Sequence, residues 1–410
     1  MPLVLIGFAE ALSAPEAVFS LRNAGFDVRV FCRRGARPLL ARCLPVGAAI
    51  EITAPETDAA ATQSELAAAV AGLAETQGQE PEQAPQVLVL GLDDPGLWLV
   101  DTLFAAGGIS GARAVNPVGA PVAVALDKIA QIKAARAAGL AVPETTVAAT
   151  HAEIRTAAIP EACIVKPAGP IRLKDGQLGK GGTHFFSSAE ARTTLPDTLD
   201  IAFPSLVQPL IRGWGEGIFG FAGSRGICAW SAHRRIRMMN PHGSGASACS
   251  PRTPEPELCA KVAKMIAAIG WRGPFMIEFL RANDGTLYFM ELNGRLWGSL
   301  ALARRGGFEY PAWAVCQALD SAFEPSSATP PGPTPPPVMR HLGREILHVL
   351  HVLRGPKSAF HRQGWPPFWP TLGAVLRFGP SRSFYNWDPA HPRYFLYDAW
   401  STVLDQFMGR

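Results

Sequence analysis

The sequence lacks the features that mark several classes of protein. It contains no run of about 18 apolar residues, the length needed for a membrane-spanning helix, and no basic stretch precedes its first apolar residues. Its seven cysteines are scattered singly, without a C-x-x-C pair, which fits reduced thiols and predicts a cytoplasmic protein. We therefore expect no transmembrane segment, no secretory signal and no disulfide framework.

Two common nucleotide-binding motifs are also missing. Gly7 follows the first predicted strand, but no Gly-x-Gly-x-x-Gly motif accompanies it, which argues against a dinucleotide site. The glycine-rich stretch after residue 174 does not have the spacing of a P-loop. The net charge is only +4, and no aromatic stacking platform with interleaved lysines is present, so we expect no nucleic-acid partner.

The composition is that of a folded protein with several domains. The chain has 410 residues, of which 48% are hydrophobic and 18% charged, and this length is too great for one core. In the N-terminal third, predicted strands alternate with predicted helices, which indicates an α/β fold with a parallel sheet and right-handed crossovers. The strands are predicted at residues 3–6, 28–32 and 87–90, and the helices at residues 14–24, 64–73 and 97–106.

The most informative stretch is residues 274–299. Two apolar runs, each carrying one glutamate, flank Asp284-Gly285, and Asp-Gly between such runs predicts a β-hairpin. With these two residues at the centre of the turn, Glu278 lies directly opposite Glu291 and both point to the same face. Like charges placed in this way destabilise an apolar hairpin, so we expect something to bind between them.

Asn293 lies two residues beyond Glu291 and therefore shares its face. Two carboxylates and an amide oxygen form an oxygen-only site, which suits magnesium better than zinc. The alternative is that Glu278 and Glu291 simply face solvent, but apolar neighbours on both faces indicate a buried hairpin. Arg295 continues the same alternation if the strand extends that far.

A lysine and two short segments upstream have the character of a phosphate-binding cleft. Lys166 closes a short buried strand at residues 162–165, where it can point inward to a phosphate or extend to water. Residues 206–211 form an apolar strand whose backbone can offer hydrogen bonds to an adenine edge. A loop that either cradles phosphate with its N–H groups or is merely flexible contains Gly179, Lys180, Gly181, Gly182 and Thr183.

The order of these motifs resembles the ATP-grasp superfamily. The resemblance covers about residues 1–325 and depends on the combination, since each motif alone is weak. It is closest to the carbamoyl-phosphate-synthase-like and carboxylate–amine ligase branch. The motifs are Asp127-Lys128 at the start of a predicted helix, Val165-Lys166-Pro167, the glycine-rich loop, Val207-Gln208-Pro209-Leu210 and the hairpin with Glu278, Glu291, Asn293 and Arg295.

This resemblance implies a set of contacts with ATP. Lys128 and Lys166 would contact the nucleotide phosphates beneath the glycine-rich loop. Gln208 and the backbone of Leu210 would meet the adenine, and Glu216 would bind the ribose. The last assignment departs from the family pattern, in which an acidic residue is more often found near the position of Gln208.

The resemblance also implies the reaction centre. Glu278, Glu291 and Asn293 would hold one or two magnesium ions, and Arg295 would contact the transferred phosphoryl group or an acyl phosphate. Relatives often place another arginine opposite the reaction centre, in the region of residues 233–237.

Three basic side chains occupy that region, namely His233, Arg235 and Arg237, and among them we favour Arg235. A solvated basic edge of the strand is the alternative.

We predict an ATP-grasp fold with an N-terminal parallel-sheet domain and a C-terminal helical and aromatic extension. The parts are an N-terminal Rossmann-like domain at residues 1–120, a small ATP-grasp subdomain at 121–205, a catalytic subdomain at 206–325, a proline-rich linker at 326–337 and the extension at 338–410.

The extension is basic and aromatic. Residues 338–382 contain seven lysines and arginines against one glutamate, and tryptophan and phenylalanine are frequent up to residue 400. Such side chains require burial, so we expect the extension to dock on the catalytic core and to shape the substrate pocket. The alternative is peripheral attachment of residues 338–382 to an anionic membrane surface.

The resemblance implies an ATP- and magnesium-dependent ligase. It would convert a small-molecule acid, a carboxylate in the simplest case, into an acyl phosphate and join it to an amine or amino acid, with release of ADP and phosphate. Activation of a non-carboxylate oxygen such as an enol is one alternative, and a non-catalytic nucleotide-binding regulator is another. The sequence is compatible with one or two metal ions and with a homodimer.

Overall fold

The structure is a computed structural model, and the predicted linker at residues 326–337 lies outside the residues that it describes. The described residues are 2–76, 87–159, 162–243, 245–325, 338–357, 359–362, 364–379 and 382–408.

Five parallel strands form the N-terminal sheet in the order β3-β2-β1-β4-β5, which confirms the predicted α/β domain. The strands are β1 (Leu3–Gly7), β2 (Asp27–Arg33), β3 (Ile50–Ile52), β4 (Val87–Gly91) and β5 (Ala112–Ala114). The helices are α1 (Ala14–Asn23), α2 (Leu39–Cys43), α3 (Ala59–Thr76), α4 (Asp94–Ala105) and α5 (Ala120–Ala125). β1 and β4 are buried on both faces, as their continuous apolar runs predict.

A smaller layer follows, in which four strands form a sheet in the order β10-β7-β11-β6. Its helices are α6 (Lys128–Ala137), α7 (His151–Thr156) and α8 (Ala189–Thr193). Its strands are β6 (Thr146–Ala148), β7 (Cys163–Pro167), β10 (His184–Phe186) and β11 (Ser205–Pro209), and a separate hairpin contains β8 (Arg172–Lys174) and β9 (Gln177–Gly179). One face of the sheet packs against α7 and α8, which leaves the other face for a cleft.

The third sheet has seven strands in the order β16-β15-β12-β13-β14-β17-β18. Its long antiparallel strands are β12 (Gly213–Gly223), β13 (Gly226–Met238), β14 (Ala246–Arg252), β15 (Gly273–Ala282) and β16 (Leu287–Asn293). The helices that accompany them are α9 (Pro256–Ala268), α10 (Leu300–Arg305) and α11 (Tyr310–Leu319). The N-terminal sheet packs onto one end of this layer through a shared core that includes Phe219 and Trp297.

The C-terminal extension continues the third sheet, because its first strand pairs with β14. Its strands are β17 (Val338–Arg340) and β18 (Arg382–Phe384), and its helices are α12 (Leu342–Arg354), α13 (Ala359–Arg362), α14 (Phe368–Leu376) and α15 (Pro392–Met408). The Arg237 guanidinium on β13 binds the buried Glu345 carboxylate on α12, with its Nε 2.9 Å from Oε1. The predicted docking of the extension on the core is therefore confirmed.

Burial of the aromatic residues in the extension is only partial. Tyr385 and Tyr394 are buried, but Trp369 is 76% exposed and Phe378 and Trp400 are also exposed. The expectation that all of these rings require burial is wrong, since α14 and α15 each keep one face outside the core. Among the described residues, no helix combines the length and the apolar character that crossing a membrane requires.

Candidate active site

Glu278 on β15 and Glu291 on β16 lie directly opposite one another, as predicted, although the turn differs from the predicted one. The loop has three residues instead of two, because the Ala282 N–H donates to the Thr286 carbonyl at 2.8 Å. A three-residue loop alone would shift the register between β15 and β16 by one residue. A bulge at Met290 restores it, so the two carboxylates still face each other.

Each carboxylate has a cation beside it. Lys128 Nζ lies 3.1 Å from Glu291 Oε2, and Arg235 Nη2 lies 2.6 Å from Glu278 Oε2. The Asn293 amide nitrogen is 3.5 Å from Glu291 Oε1, and Glu278 is paired directly opposite Glu291, so the three predicted metal ligands are neighbours on the hairpin. Together they offer a set of hard oxygen donors that fits a magnesium ion.

This ligand set is sparse. In the part of the chain that the structure describes, no group of three or more histidine, cysteine, aspartate or glutamate side chains gathers where it could hold a metal ion. A magnesium ion at Glu278, Glu291 and Asn293 would therefore complete its shell with water and substrate phosphate oxygens, as magnesium sites commonly do.

The charges of the site are strongly coupled. Burial alone would raise the pKa of the Glu291 carboxyl, but the charges of Lys128, Arg295 and Lys166 lower it to about 2. Burial and the nearby Lys128 lower the pKa of Lys166 to about 8, although Glu291 and Glu278 oppose that shift. Lys166 thus lies close enough to the carboxylates for their charges to act on it, and its contact with a nucleotide phosphate stays a prediction.

The fold positions Lys128 through its place on α6. Asp127 caps this helix, since its Oδ1 accepts the Ile129 N–H at 2.8 Å, and Lys128 is the first helical residue. One turn on, the buried Gln131 side chain accepts the Leu292 N–H at 2.8 Å and so ties the helix to β16. The sequence analysis missed Gln131, because a mid-helix glutamine carries no local signal.

Of the three basic candidates on β13, Arg235 is the one that reaches the carboxylates. Its guanidinium crosses β12 at Gly215, where a Cβ atom would lie 2.7 Å from Arg235 Cδ. Arg237 is instead paired with Glu345, away from the carboxylates. The alternative of a solvated basic edge is wrong for this strand.

His233 is buried next to Arg235 and forms a hydrogen bond with a neighbouring hydroxyl group. Its Nδ1 is 2.8 Å from Ser299 Oγ. Burial, together with the charge of Arg235, lowers the pKa of His233 to about 3, so the ring is neutral.

Arg295 joins the N-terminal sheet to the site. Its Nε lies 3.3 Å from Asp94 Oδ1, at the start of α4, and its charge also acts on Glu291. The sequence analysis missed Asp94, which has 200 residues between it and its partner along the chain. The carboxyl end of β4 therefore borders the candidate site, at the position that ligand sites commonly have in open parallel sheets.

The two residues predicted to contact adenine, Gln208 and Leu210, make hydrogen bonds within the protein. Gln208 is buried on the cleft side of β11, and its Nε2 donates to Thr145 Oγ1 at 2.8 Å, while its Oε1 has no hydrogen-bond partner among the described residues. The Leu210 N–H donates to the Ala162 carbonyl at 2.9 Å. This N–H is therefore engaged within the protein, while Leu210 lines the cleft, and a contact of the Leu210 backbone with adenine stays a prediction.

The ribose assignment of Glu216 is also wrong. Strand alternation places Gly217 beside Glu278, so Glu216 points to the opposite face of the sheet. There it accepts the Trp214 indole N–H at 3.0 Å and pairs with Arg281, also at 3.0 Å. Its charge is satisfied by these structural partners.

The glycine-rich loop leaves the β8–β9 hairpin and borders the N-terminal domain. The hairpin is anchored there, because the Leu178 N–H donates to the Pro55 carbonyl at 2.8 Å and the Ala59 N–H to the Gly176 carbonyl at 2.9 Å. The charge of Lys180 lies close enough to act on Asp93 at the end of β4. A contact of Gly179, Lys180, Gly181, Gly182 and Thr183 with phosphate stays a prediction.

A cavity of about 880 Å³ is lined by Glu278 and Arg235. Leu210, Leu280 and Met290 line it near Glu278, and Trp365 lines it from the extension. Its size is in the range that small-molecule sites occupy. The extension thus lines the cavity, and its predicted role in shaping a substrate pocket stays a prediction.

No protein-family model matches the sequence, and no curated protein does. Solved structures are nevertheless similar to the chain. An L-amino acid ligase from Bacillus licheniformis matches with a TM-score of 0.57 and 15% identity over 80% of this chain and 77% of that one. A biotin carboxylase from Campylobacter jejuni matches with a TM-score of 0.57 and 15% identity over 80% and 72%.

A third similar structure is the N5-carboxyaminoimidazole synthetase from Staphylococcus aureus in complex with ADP. It has a TM-score of 0.55 and 14% identity, over 79% of this chain and 78% of that one. Identities this low establish the fold alone. All three are ATP-grasp structures, so the predicted ATP-grasp fold is confirmed.

Proposed function

We propose that this chain, which has the fold of the ATP-grasp carboxylate–amine ligases, is an ATP- and magnesium-dependent ligase. The observation that supports it best is the pair of opposed carboxylates on Glu278 and Glu291 with Lys128, Lys166 and Arg235 gathered around them. A nucleotide-binding scaffold without turnover would have no use for two half-buried carboxylates placed opposite one another, which is a costly arrangement of like charges.

In the proposed reaction, a carboxylate oxygen of the acid attacks the γ-phosphorus of ATP. The bond from that phosphorus to the bridging oxygen of ADP breaks, which leaves an acyl phosphate. An amine then attacks the acyl carbon, phosphate departs with its oxygen, and the amine loses a proton. Activation in this way replaces a poor leaving oxygen by a good one.

The protein's contribution is charge compensation and positioning. Lys128 and Lys166 would offset the charge of the nucleotide phosphates. Glu278, Glu291 and Asn293 would hold magnesium, which when bound supplies further positive charge at the phosphoryl oxygens. Arg295, held by Asp94, would stabilise the charge that develops on the transferred group.

Arg235 has a different part in this proposal. Its guanidinium binds Glu278 at 2.6 Å, the same carboxylate that would coordinate magnesium. A cation on Glu278 would compete for that carboxylate and leave Arg235 able to bind the carboxylate of the acid. Metal loading and acid binding would then be coupled through a single side chain.

The test is ATP consumption in the presence of hydroxylamine across a panel of acids. Hydroxylamine intercepts an acyl phosphate as a hydroxamate, so we expect hydroxamate together with ADP and phosphate. AMP with pyrophosphate would reject the proposal. ADP without hydroxamate would favour activation of a non-carboxylate oxygen, and nucleotide binding without turnover would favour the regulator.

We also propose that the protein is cytoplasmic. A cytoplasmic protein is supported by the seven cysteines, all of which are free thiols. A homodimer stays a prediction, which sedimentation of the purified protein would test.

A further inference from the structure

We propose that the part of the cavity beyond Arg235, bounded by the C-terminal extension, binds the body of the acid substrate and accepts an uncharged aromatic or aliphatic group. This inference rests on the proposed ligase function and names its substrate class. We call this part of the cavity the aromatic chamber and define it by Met238, His242, Trp365, Pro366 and Thr371.

The aromatic chamber is continuous with the reaction centre. The same cavity of about 880 Å³ is lined by Glu278 and Arg235 at one end and by Trp365 and Thr371 at the other. An acid whose carboxylate binds Arg235 would therefore place the remainder of the molecule in the chamber. A cavity of this size has room for a second small molecule beside a nucleotide.

The rings of the chamber use their polar atoms among themselves and the backbone. His242 Nδ1 is 2.9 Å from Asn240 Oδ1, and its Nε2 accepts the Lys357 N–H at 2.9 Å. Because a backbone N–H must be the donor in the second bond, His242 carries its proton on Nδ1 and is neutral. The Trp365 indole N–H donates to the Val352 carbonyl at 3.3 Å.

Both rings are thus left to offer their apolar surfaces. The His242 and Trp365 centroids are 4.7 Å apart, which makes one continuous wall. His348, which also lines the cavity, has its Nδ1 2.6 Å from the Met238 carbonyl. A wall of this kind favours aromatic and aliphatic groups through contact area and provides few hydrogen bonds to a polar substituent.

The charges along this wall argue against a phosphorylated or dianionic substrate. The two arginines of β13 that line the cavity are each paired with a carboxylate, Arg235 with Glu278 and Arg237 with Glu345. Binding of magnesium at Glu278 would release Arg235, and this accounts for one substrate carboxylate. A second anionic group at Arg237 would have to compete with the buried Glu345, at the cost of an unpaired buried charge. Arg212 also lines the cavity, but it lies between β11 and β12 and is not part of the aromatic chamber.

The experiment compares acids and variants in the full-length protein by hydroxamate formation with ATP, magnesium and hydroxylamine. The panel contains L-phenylalanine and L-leucine as apolar acids, and L-aspartate and 3-phosphoglycerate as acids with an additional negative group. We expect the apolar acids to be converted with at least tenfold higher kcat/KM than the anionic ones.

The variants locate the selectivity in the chamber. Trp365→Ala should raise the KM for the apolar acid at least tenfold and leave the KM for ATP within twofold, while Trp365→Phe should restore most of the affinity. Trp369→Ala is the matched control, because this ring lies four residues away, is 76% exposed and does not line the cavity. Its KM values should be those of the unaltered protein.

The outcomes separate the two proposals. Efficient conversion of aspartate or phosphoglycerate, with poor conversion of the apolar acids, would overturn the chamber but support the ligase. An equal rise of the KM for ATP in Trp365→Ala would also overturn it, since the chamber would then belong to the nucleotide. Failure of every acid to form hydroxamate would reject the carboxylate-activating ligase and, with it, this inference.

Discussion

Arg235 reaches Glu278 across an intervening strand. The two residues lie on β13 and β15, with β12 between them, yet Arg235 Nη2 and Glu278 Oε2 are 2.6 Å apart. The contact is possible because β12 has glycine at position 215, where a Cβ atom would lie 2.7 Å from Arg235 Cδ and block the path. At Gly217 an added Cβ atom would instead meet His233 Nε2, at 2.8 Å.

Gly215→Ala should displace Arg235 and reduce activity without unfolding the protein. The new Cβ would lie 2.7 Å from Arg235 Cδ and 3.2 Å from its Nε, so the side chain must move. A misplacement of about 1 Å in a reacting site can lower the rate roughly a hundredfold. Steady-state ADP release measures the effect, and circular dichroism checks the fold.

Gly72→Ala is the control for this change. It lies in helix α3 with no heavy atom within 4 Å of the added carbon, and alanine in a helix stabilises by roughly 0.5–1 kcal/mol. We expect full activity and a slightly higher melting temperature. Full activity in Gly215→Ala as well would mean that Arg235 has no role in turnover.

Glu291→Gln should weaken magnesium binding, because it removes one charge from the ligand set and leaves the volume unchanged. The apparent magnesium affinity should fall at least roughly tenfold, since even second-shell changes have that effect at metal sites. Turnover measured over a magnesium titration reports it. The control is Glu216→Gln, on the opposite face of the sheet, which should keep both the magnesium response and the KM for ATP. Near-normal magnesium dependence in Glu291→Gln would refute the metal role of Glu291.

ATP affinity should fall as the pH rises through about 8. Lys166 has its pKa lowered to about 8, by burial first and then by Lys128, so its ammonium group is present below that pH and is lost above it. A neutral lysine cannot pair with phosphate, and affinity should decrease by up to about tenfold per pH unit above the transition. Isothermal titration calorimetry with ATP between about pH 7 and about pH 9.5 measures the change.

The matched variant for this prediction is Lys166→Arg, because arginine stays charged throughout that pH range. Its ATP affinity should be independent of pH over the same interval. A pH-dependent loss that persists in Lys166→Arg would assign the titration to another group.

Glu345→Ala should destabilise the docked extension. The carboxylate is fully buried, accepts the Ser247 hydroxyl at 2.7 Å and pairs with Arg237, so its removal leaves a buried cation without its partner. Such a loss costs roughly 3–5 kcal/mol of unfolding free energy. Arg225→Ala removes the ion pair with Glu324, but this arginine is 85% exposed and its loss should be small. Equal urea midpoints for the two variants would contradict the prediction.

The β15–β16 hairpin shows which features of the site local sequence patterns predict and which they do not. The opposition of Glu278 and Glu291 is predicted correctly, but for an incomplete reason. The apolar alternation indicates the face of each strand, whereas the three-residue loop and the compensating bulge at Met290 depend on the hydrogen-bond ladder between strands. The alternation of residues alone does not reveal a bulge, because in the sequence the unpaired residue looks like any other residue of the strand.

For the basic residues of β13, by contrast, local sequence patterns do not separate the roles of the side chains. His233, Arg235 and Arg237 occupy alternate positions of the strand and look alike in sequence. Their roles separate because Arg235 meets Glu278 and Arg237 meets Glu345. Both partners belong to distant parts of the chain, so no local property of the strand could distinguish the two arginines.

The sequence by itself determined the types of the main elements, the buried hairpin, and which lysines and carboxylates could serve a phosphate site, because periodicity and side-chain chemistry are local. The tertiary structure decided which of these groups meet. Asp94 binds Arg295, Glu216 turns away to Arg281, and Trp365 from the extension forms a wall of the cavity. These contacts follow from how three sheets and the extension pack, and packing depends on the shapes of whole layers, which no local pattern specifies.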